Sequence, residues 1–262
     1  MWFELTKEAI KNRESVQRWA TKLFVGPPIA VTGISGAGKS VMVDALTGLA
    51  SEAGYEKPSK SLIVDKKSFR DKAQKSKSRL IIIPGQDSES RSRALDQYLD
   101  GKDPVEGVIH VVPNGFQKPW DLVGQDALFR RGIDTIEALR RDNLEKEVAD
   151  FRALCERIAM SNRRKRKPKW LLILATKADL YSGSAREALE TYHPDGSSPF
   201  AVAAGDLLRK VGTQNLSIDV GIVCSLHESF EWRGEVVESD HGYDQHSSLI
   251  TLVKFIGEVA KS

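Results

Sequence analysis

The chain has 262 residues, 40% hydrophobic and 29% charged, with a mean hydropathy of −0.34. It therefore reads as a soluble globular chain with a real core, one large domain or one carrying insertions. No apolar run approaches the ~20 residues needed to span a bilayer, which excludes a transmembrane helix. Two widely spaced cysteines, Cys155 and Cys224, exclude a disulfide framework and point to a reducing, cytoplasmic setting.

The net charge of +3 is unevenly distributed. The run Arg163–Lys169 holds six cations, and Lys60–Arg79 holds eight Lys or Arg against Asp65 and Asp71. The remaining body is mildly acidic, so no sequence-specific nucleic-acid partner is expected.

Along the chain, the start up to Ser15 lacks the continuous apolar stretch of a signal peptide. Residues Glu4–Phe24 carry a broken apolar stripe that predicts a helix, stopped by Gly26-Pro27-Pro28. Residues 28–262 then read as the main domain. Short apolar runs predict strands at Pro28–Thr32, Leu62–Val64, Leu80–Ile83, Gly107–Val112, Trp170–Ala175 and Ser217–Cys224. Helices are predicted at Ser40–Leu49, Asp134–Asn162 and Ser247–Ala260. Nearly all-apolar strands alternating with helices predict an α/β fold. It is a doubly wound, predominantly parallel sheet of about six strands with helices on both faces. Residues 113–168 form a helical insertion before the strand at Trp170.

The segment Gly33-Ile34-Ser35-Gly36-Ala37-Gly38-Lys39-Ser40 matches G-x-x-x-x-G-K-[ST] between a predicted strand and a predicted helix. Its glycines allow a tight curl, so that N–H groups of Gly36, Ala37, Gly38, Lys39, Ser40 and Val41 can face phosphates at the helix's positive end. Lys39 supplies a point charge, and the Ser40 hydroxyl is a Mg²⁺ ligand.

The strand ending at Ala175 leads into Thr176-Lys177-Ala178-Asp179. This resembles the [NT]-K-x-D guanine-recognition motif of the Ras-like and Arf-like P-loop GTPases. The chemistry agrees: a carboxylate at Asp179 can accept from guanine N1–H and its 2-amino group, and the stem of Lys177 can lie across the purine. Ile82-Ile83-Pro84-Gly85-Gln86-Asp87 resembles the D-x-x-G-Q segment. There Gly85 would approach the γ-phosphate and Gln86 would orient the attacking water. Ser225-Leu226 resembles the S-A-K loop, whose backbone contacts the base. The resemblance implies GTP and GDP as ligands with Mg²⁺, slow hydrolysis, and a switch formed by loops at about 55–70 and 86–98. It also implies an effector or activating protein at those loops.

The departures are specific. Ile82 stands where the family carries the metal-supporting aspartate, and only Ser59 and Ser61 offer hydroxyls for the first switch. His227 follows Leu226 where the family has Lys, and no catalytic arginine is assignable. A non-catalytic, nucleotide-stabilised interaction subunit is therefore the alternative. A P-loop ATPase or kinase ranks below it, because no strand ends in a Walker-B acid. The run Arg163–Lys169 reads first as a solvated loop and second as a contact for an anionic membrane or an acidic partner. The expected location is cytoplasmic, at most peripheral at a membrane.

Overall fold

The computed structural model describes residues 28–51, 54–58, 64–70, 77–86, 88–101, 104–161 and 168–259. The N-terminal helix predicted at Glu4–Phe24, most of the Leu62–Val64 strand, Ser59, Ser61, Asp87 and the cations at 163–167 lie outside them.

Six strands form one sheet: β1 (Ile29–Thr32), β2 (Asp65–Arg70), β3 (Lys77–Ile82), β4 (Gly107–Val112), β5 (Trp170–Ala175) and β6 (Ser217–Ile222), in the order β2-β3-β1-β4-β5-β6. Only β2 runs antiparallel, pairing Asp65 with Ile82 at one end and Arg70 with Lys77 at the other. The doubly wound, predominantly parallel fold expected from the sequence is the one observed. The strand found among the described residues in this region is Asp65–Arg70, directly after the apolar triplet, of which only Val64 is described. It lies at a sheet edge, where a polar strand needs no apolar run to be paired on one side.

Strand alternation divides the core in two. Ile29, Val31, Leu172 and Leu174 face α1 (Lys39–Thr47) and α7 (Gln245–Val259), packing with Met42, Leu46, Leu252 and Ile256. Ala30, Ile81, Leu171 and Ile173 face the opposite layer. That layer holds α2 (Glu89–Leu95, continued by a wider π turn to Asp100), α4 (Ile136–Ser161) and α6 (Pro199–Val211). Two shorter helices, α3 (Leu122–Arg130) and α5 (Ala185–Tyr192), flank them. No helix among the described residues is long and apolar enough to cross a membrane.

Helix α4 buries Ile136, Leu139, Phe151, Leu154, Cys155 and Ile158 along one stripe. Besides Ser161 at its end, the same stripe carries Asn143 and Glu147, both almost fully buried. They are satisfied by the loop that leaves β4 and by Tyr192 at the end of α5. Asn143 Nδ2 donates to the carbonyls of Gly115 (2.8 Å) and Gln117 (2.7 Å). Glu147 Oε1 accepts from the Gly115 N–H and Oε2 from the Tyr192 hydroxyl, each at 2.7 Å. The buried side chains thus hold a loop in place of a further layer of apolar packing. Gly115 has φ +80°, and a Cβ there would lie 2.9 Å from the Arg140 carbonyl, so the loop passes hard against the helix.

Burial pushes the Glu147 carboxyl up to about 7 despite these two donors. Its proton is then bound more tightly in the folded chain than in the unfolded one. The stabilisation from the protonated form is complete below about pH 4.5 and is lost as pH rises through about 7. Glu147→Gln keeps one acceptor for Gly115 and an amide for Tyr192 without the charge. Its stability relative to wild type should rise by roughly 2–3 kcal/mol between about pH 4.5 and pH 8, measured by denaturant unfolding. A difference independent of pH would show that Glu147 does not ionise at a cost.

Candidate functional site

The parallel strands β1, β3, β4 and β5 all end at one edge of the sheet, and there the chain forms a cleft of about 330 Å³. Such edges are where open α/β sheets bind ligands. One end is the loop Gly33–Ser40. Gly33, Gly36 and Gly38 take φ of +129°, +78° and +89°, which is the left-handed region. A Cβ on Gly33 would sit 2.1 Å from the Val111 carbonyl oxygen, so only glycine fits between β1 and β4. The loop delivers its free N–H groups to the first turn of α1.

Lys39 is buried at the base of this loop. Its Nζ donates to the carbonyls of Gly33 (2.7 Å) and Ile34 (2.8 Å). Burial, and then the Arg91 guanidinium nearby, pull its ammonium down to about 7. Gly85 lies against the same loop: a Cβ on it would meet Ser35 N, the Ile34 carbonyl carbon and Lys39 Nζ, all at 2.5 Å. Its carbonyl accepts from Arg91 Nη1 at 3.0 Å, and the other arm of that guanidinium pairs with Asp150 on α4.

The opposite end is built by β5 and the segment after β6. The Thr176 hydroxyl donates to the Ala37 carbonyl at 2.7 Å, a buried bond joining the T-K-x-D segment to the phosphate-type loop. Lys177, with φ +61°, directs Nζ to the Phe116 carbonyl and over the Phe230 ring. Burial draws its ammonium down to about 8. Asp179 is 2% exposed. Its Oδ2 accepts from Ser239 Oγ (2.7 Å) and Glu228 N (3.2 Å), and its Oδ1 faces the Cys224 thiol at 3.4 Å. Asp179, Cys224 and His227 bring possible ligand atoms within 4.8 Å of one another. Burial and the Asp179 charge favour the protonated thiol, which bonds Asp179, while His227 Nδ1 faces Ser239 Oγ at 3.3 Å instead.

Of the residues singled out in the sequence, Gly36, Gly38, Lys39, Ser40, Val41, Gly85, Thr176, Lys177, Asp179, Ser225 and Leu226 line this cleft. Ala37 lies beneath it, fully buried. Gln86 is not part of the lining; its Nε2 is buried without a partner among the described residues. Ile82 does line it. His110, on β4, is shut away from solvent: it lies beside Thr32 Oγ1 at 3.1 Å and the Phe151 ring, and burial drives its imidazole down to about 3.

Sequence reasoning missed two walls. The first is Gln117–Trp120, in the loop that α4 clamps; Gln117 Oε1 is buried there without a partner among the described residues. The second lies beyond β6, where β7 (Phe230–Trp232) and β8 (Glu235–Val237) make a hairpin that supplies Phe230 and Glu231. Its two-residue turn, Arg233-Gly234, has φ of +48° and +87°, as a type I′ turn requires. Lys57 pairs with Glu228 across the cleft between the two sides.

No family model and no curated protein matches the sequence. Solved structures of similar fold include the small COPII coat GTPase SAR1 from Encephalitozoon cuniculi in complex with GDP. It is 12% identical over 99% of this chain and 92% of its own, with a TM-score of 0.48. A signal recognition particle receptor SRb–GTP/SRX complex from Chaetomium thermophilum is 11% identical over 77% and 94%, at 0.47. Toc33 from Arabidopsis thaliana, in complex with GDP and Mg²⁺, is 14% identical over 94% and 92%, at 0.42. The likeness is one of fold.

The state of Lys39 gives a direct test of the phosphate end. An incoming polyphosphate favours the charged ammonium, so it raises a pKa that starts at about 7. Binding of a nucleoside diphosphate at about pH 8 should take up close to one proton, and affinity should fall as pH rises above about 7. Calorimetry in buffers of different ionisation enthalpy reads the uptake; a buffer-independent heat would place the ligand away from Lys39.

Proposed function

We propose that the chain binds GTP and GDP, with Mg²⁺ beside the phosphates, and acts as a conformational switch that hydrolyses GTP slowly. The observation supporting this most is the union, in one cleft, of the glycine loop with Lys39 and the T-K-x-D segment with Asp179, tied by the Thr176–Ala37 bond. A carboxylate at the far end from a phosphate cradle fits the donor pair of guanine, which adenine lacks.

The residues fit the two cofactors unequally. The cradle and Lys39 suit a polyphosphate. For Mg²⁺, Ser40 supplies a hydroxyl, while the carboxylates lining the cleft (Asp179, Glu228, Glu231) belong to the opposite end. Ile82 offers no support to the metal. Ser40 would hold Mg²⁺ together with the nucleotide's own oxygens, and the ion would neutralise the β- and γ-phosphates. Gly85, pressed against the loop, is placed to register a γ-phosphate, and Arg91 connects it to α4.

The alternative of a nucleotide-stabilised interaction subunit is favoured by two features. Gln86 stands outside the cleft lining, and Trp120, Leu122, Val123 and Phe129 are all more than half exposed beside it. Such a patch suits an effector or activating protein. We place the protein in the cytoplasm, with contact to an anionic membrane or acidic partner through Arg163–Lys169 as the second reading of that run.

GDP should bind well above ADP in a direct titration, and equal affinities would refute the guanine assignment. Asp179→Asn should move preference toward xanthine nucleotides, whose 2-oxo group accepts from the new amide. Lys39→Ala should abolish triphosphate binding. Single-turnover hydrolysis should run at or below ~10⁻³ s⁻¹, the range of Ras without its activator. Gln86→Leu should lower it further; turnover near 1 s⁻¹ in the isolated protein would contradict the slow-switch reading.

A further inference from the structure

Ser225, at the position of the motif serine after β6, has a buried hydroxyl without a partner among the described residues. The group that holds Asp179 comes instead from the far side of the β7–β8 hairpin. Ser239, 7% exposed, donates to Asp179 Oδ2 at 2.7 Å, and its oxygen faces His227 Nδ1 at 3.3 Å. The neighbouring backbone reinforces the contact, because Asp240 N donates to the Asp179 carbonyl at 2.9 Å. Ser239 N in turn donates to Ser229 Oγ at 3.1 Å, closing the two ends of the hairpin on each other.

The hairpin itself is firmly seated. Trp232 is 2% exposed and its Nε1 donates to the Ile133 carbonyl at 3.2 Å. Phe230 meets the Phe116 ring edge-on at 5.5 Å. Ser239 is therefore delivered by a fixed element, and Asp179 has one oxygen with two donors, the Ser239 hydroxyl and the Glu228 N–H, and another with only a weak thiol donor. This asymmetry fixes the carboxylate plane while leaving acceptor capacity on Oδ1.

Resting on the guanine reading, we propose that Ser239 is the positioning residue that aims Asp179 at both donors of the base and so sets discrimination for the 2-amino group. A carboxylate held in one plane can present Oδ1, which only the weak thiol engages, to N1–H and the 2-amino group together. A carboxylate free to rotate keeps at most one of these at full strength. Inosine diphosphate, which lacks the 2-amino group, has only the N1–H to lose.

The test compares affinities for GDP, IDP and ADP in the full chain. Ser239→Ala should weaken GDP about ten-fold, the size of a lost hydrogen bond to a charged group, and IDP by less than about three-fold. The GDP/IDP ratio then falls toward one. Ser239→Thr keeps the hydroxyl and should keep the ratio. Should the alanine variant not fold, Ser239→Cys, with its weaker donor, should lower the ratio by a smaller factor. A ratio unchanged in the alanine or cysteine variant, including a parallel loss of both affinities, would overturn the positioning role while leaving the guanine reading intact. A wild type that binds ADP as well as GDP would remove the guanine reading and this inference with it.

Discussion

One buried hydrogen bond organises the cleft: Thr176 Oγ1 to the Ala37 carbonyl, 2.7 Å. The loop after β1 and the loop after β5 belong to strands separated by β4, so nothing in the sheet ladder joins them. The Thr176 side chain does, and it uses a carbonyl that the curled loop leaves free. With both groups out of water, breaking the bond would strand a buried acceptor, at a cost of about 1–3 kcal/mol. The Thr176 backbone N–H also bonds the Val112 carbonyl (2.8 Å), so β4, β5 and the glycine loop are fixed to one another at the point where a ligand would span them.

The same logic governs the third wall. The loop 113–121 leaving β4 has no regular secondary structure, and its one large apolar anchor is the buried Phe116. Here α4 holds its backbone with Asn143 and Glu147, Lys177 adds a bond to the Phe116 carbonyl, and Arg140 stacks over the Phe116 ring at 4.3 Å. The long helix has two jobs as a result: its apolar stripe covers the sheet, and its polar interruptions shape the cleft. Through Asp150 and Arg91 it also reaches the carbonyl of Gly85. A helix that touches both a cleft wall and the glycine beside Lys39 is a mechanical link between them.

How much of this could be read from the sequence depends on how local each signal is. The glycine loop is complete within eight residues and its chemistry is backbone chemistry, so its spacing alone located it. The T-K-x-D segment is weak by itself at a strand end and became legible because it follows the glycine loop in the right order. The strand β2, Asp-Lys-Lys-Ser-Phe-Arg, has no apolar pattern and is held by edge pairing, so hydropathy pointed to the residues before it. Helix α6 did carry a signal, Ser198 capping with Pro199 at its first position, and the hairpin carried another in Arg233-Gly234 between aromatic and β-branched residues. Strands as short as β7 and β8 give periodicity too little length to register. The polar clamp could not be seen at all, because Asn143 and Glu147 interrupt an apolar stripe and their partners lie some thirty positions away.

The two ends of the cleft are built to different standards. At the T-K-x-D end, Asp179 is buried and served by Ser239, Glu228 N and the Cys224 thiol, so its geometry is determined before any ligand arrives. At the glycine-loop end the cradle is equally fixed, yet the side chains that could act on a terminal phosphate there would be sparse: Ile82 lines the cleft, and Gln86 stands outside the lining. Preorganisation favours binding by removing the cost of ordering the site. Catalysis needs groups aimed at the charge that develops in the transition state. On the switch reading proposed above, a cleft with the first property and little of the second would hold its ligand in preference to consuming it, and faster turnover would need groups from a partner or from movement of the segment that carries Gly85 and Gln86.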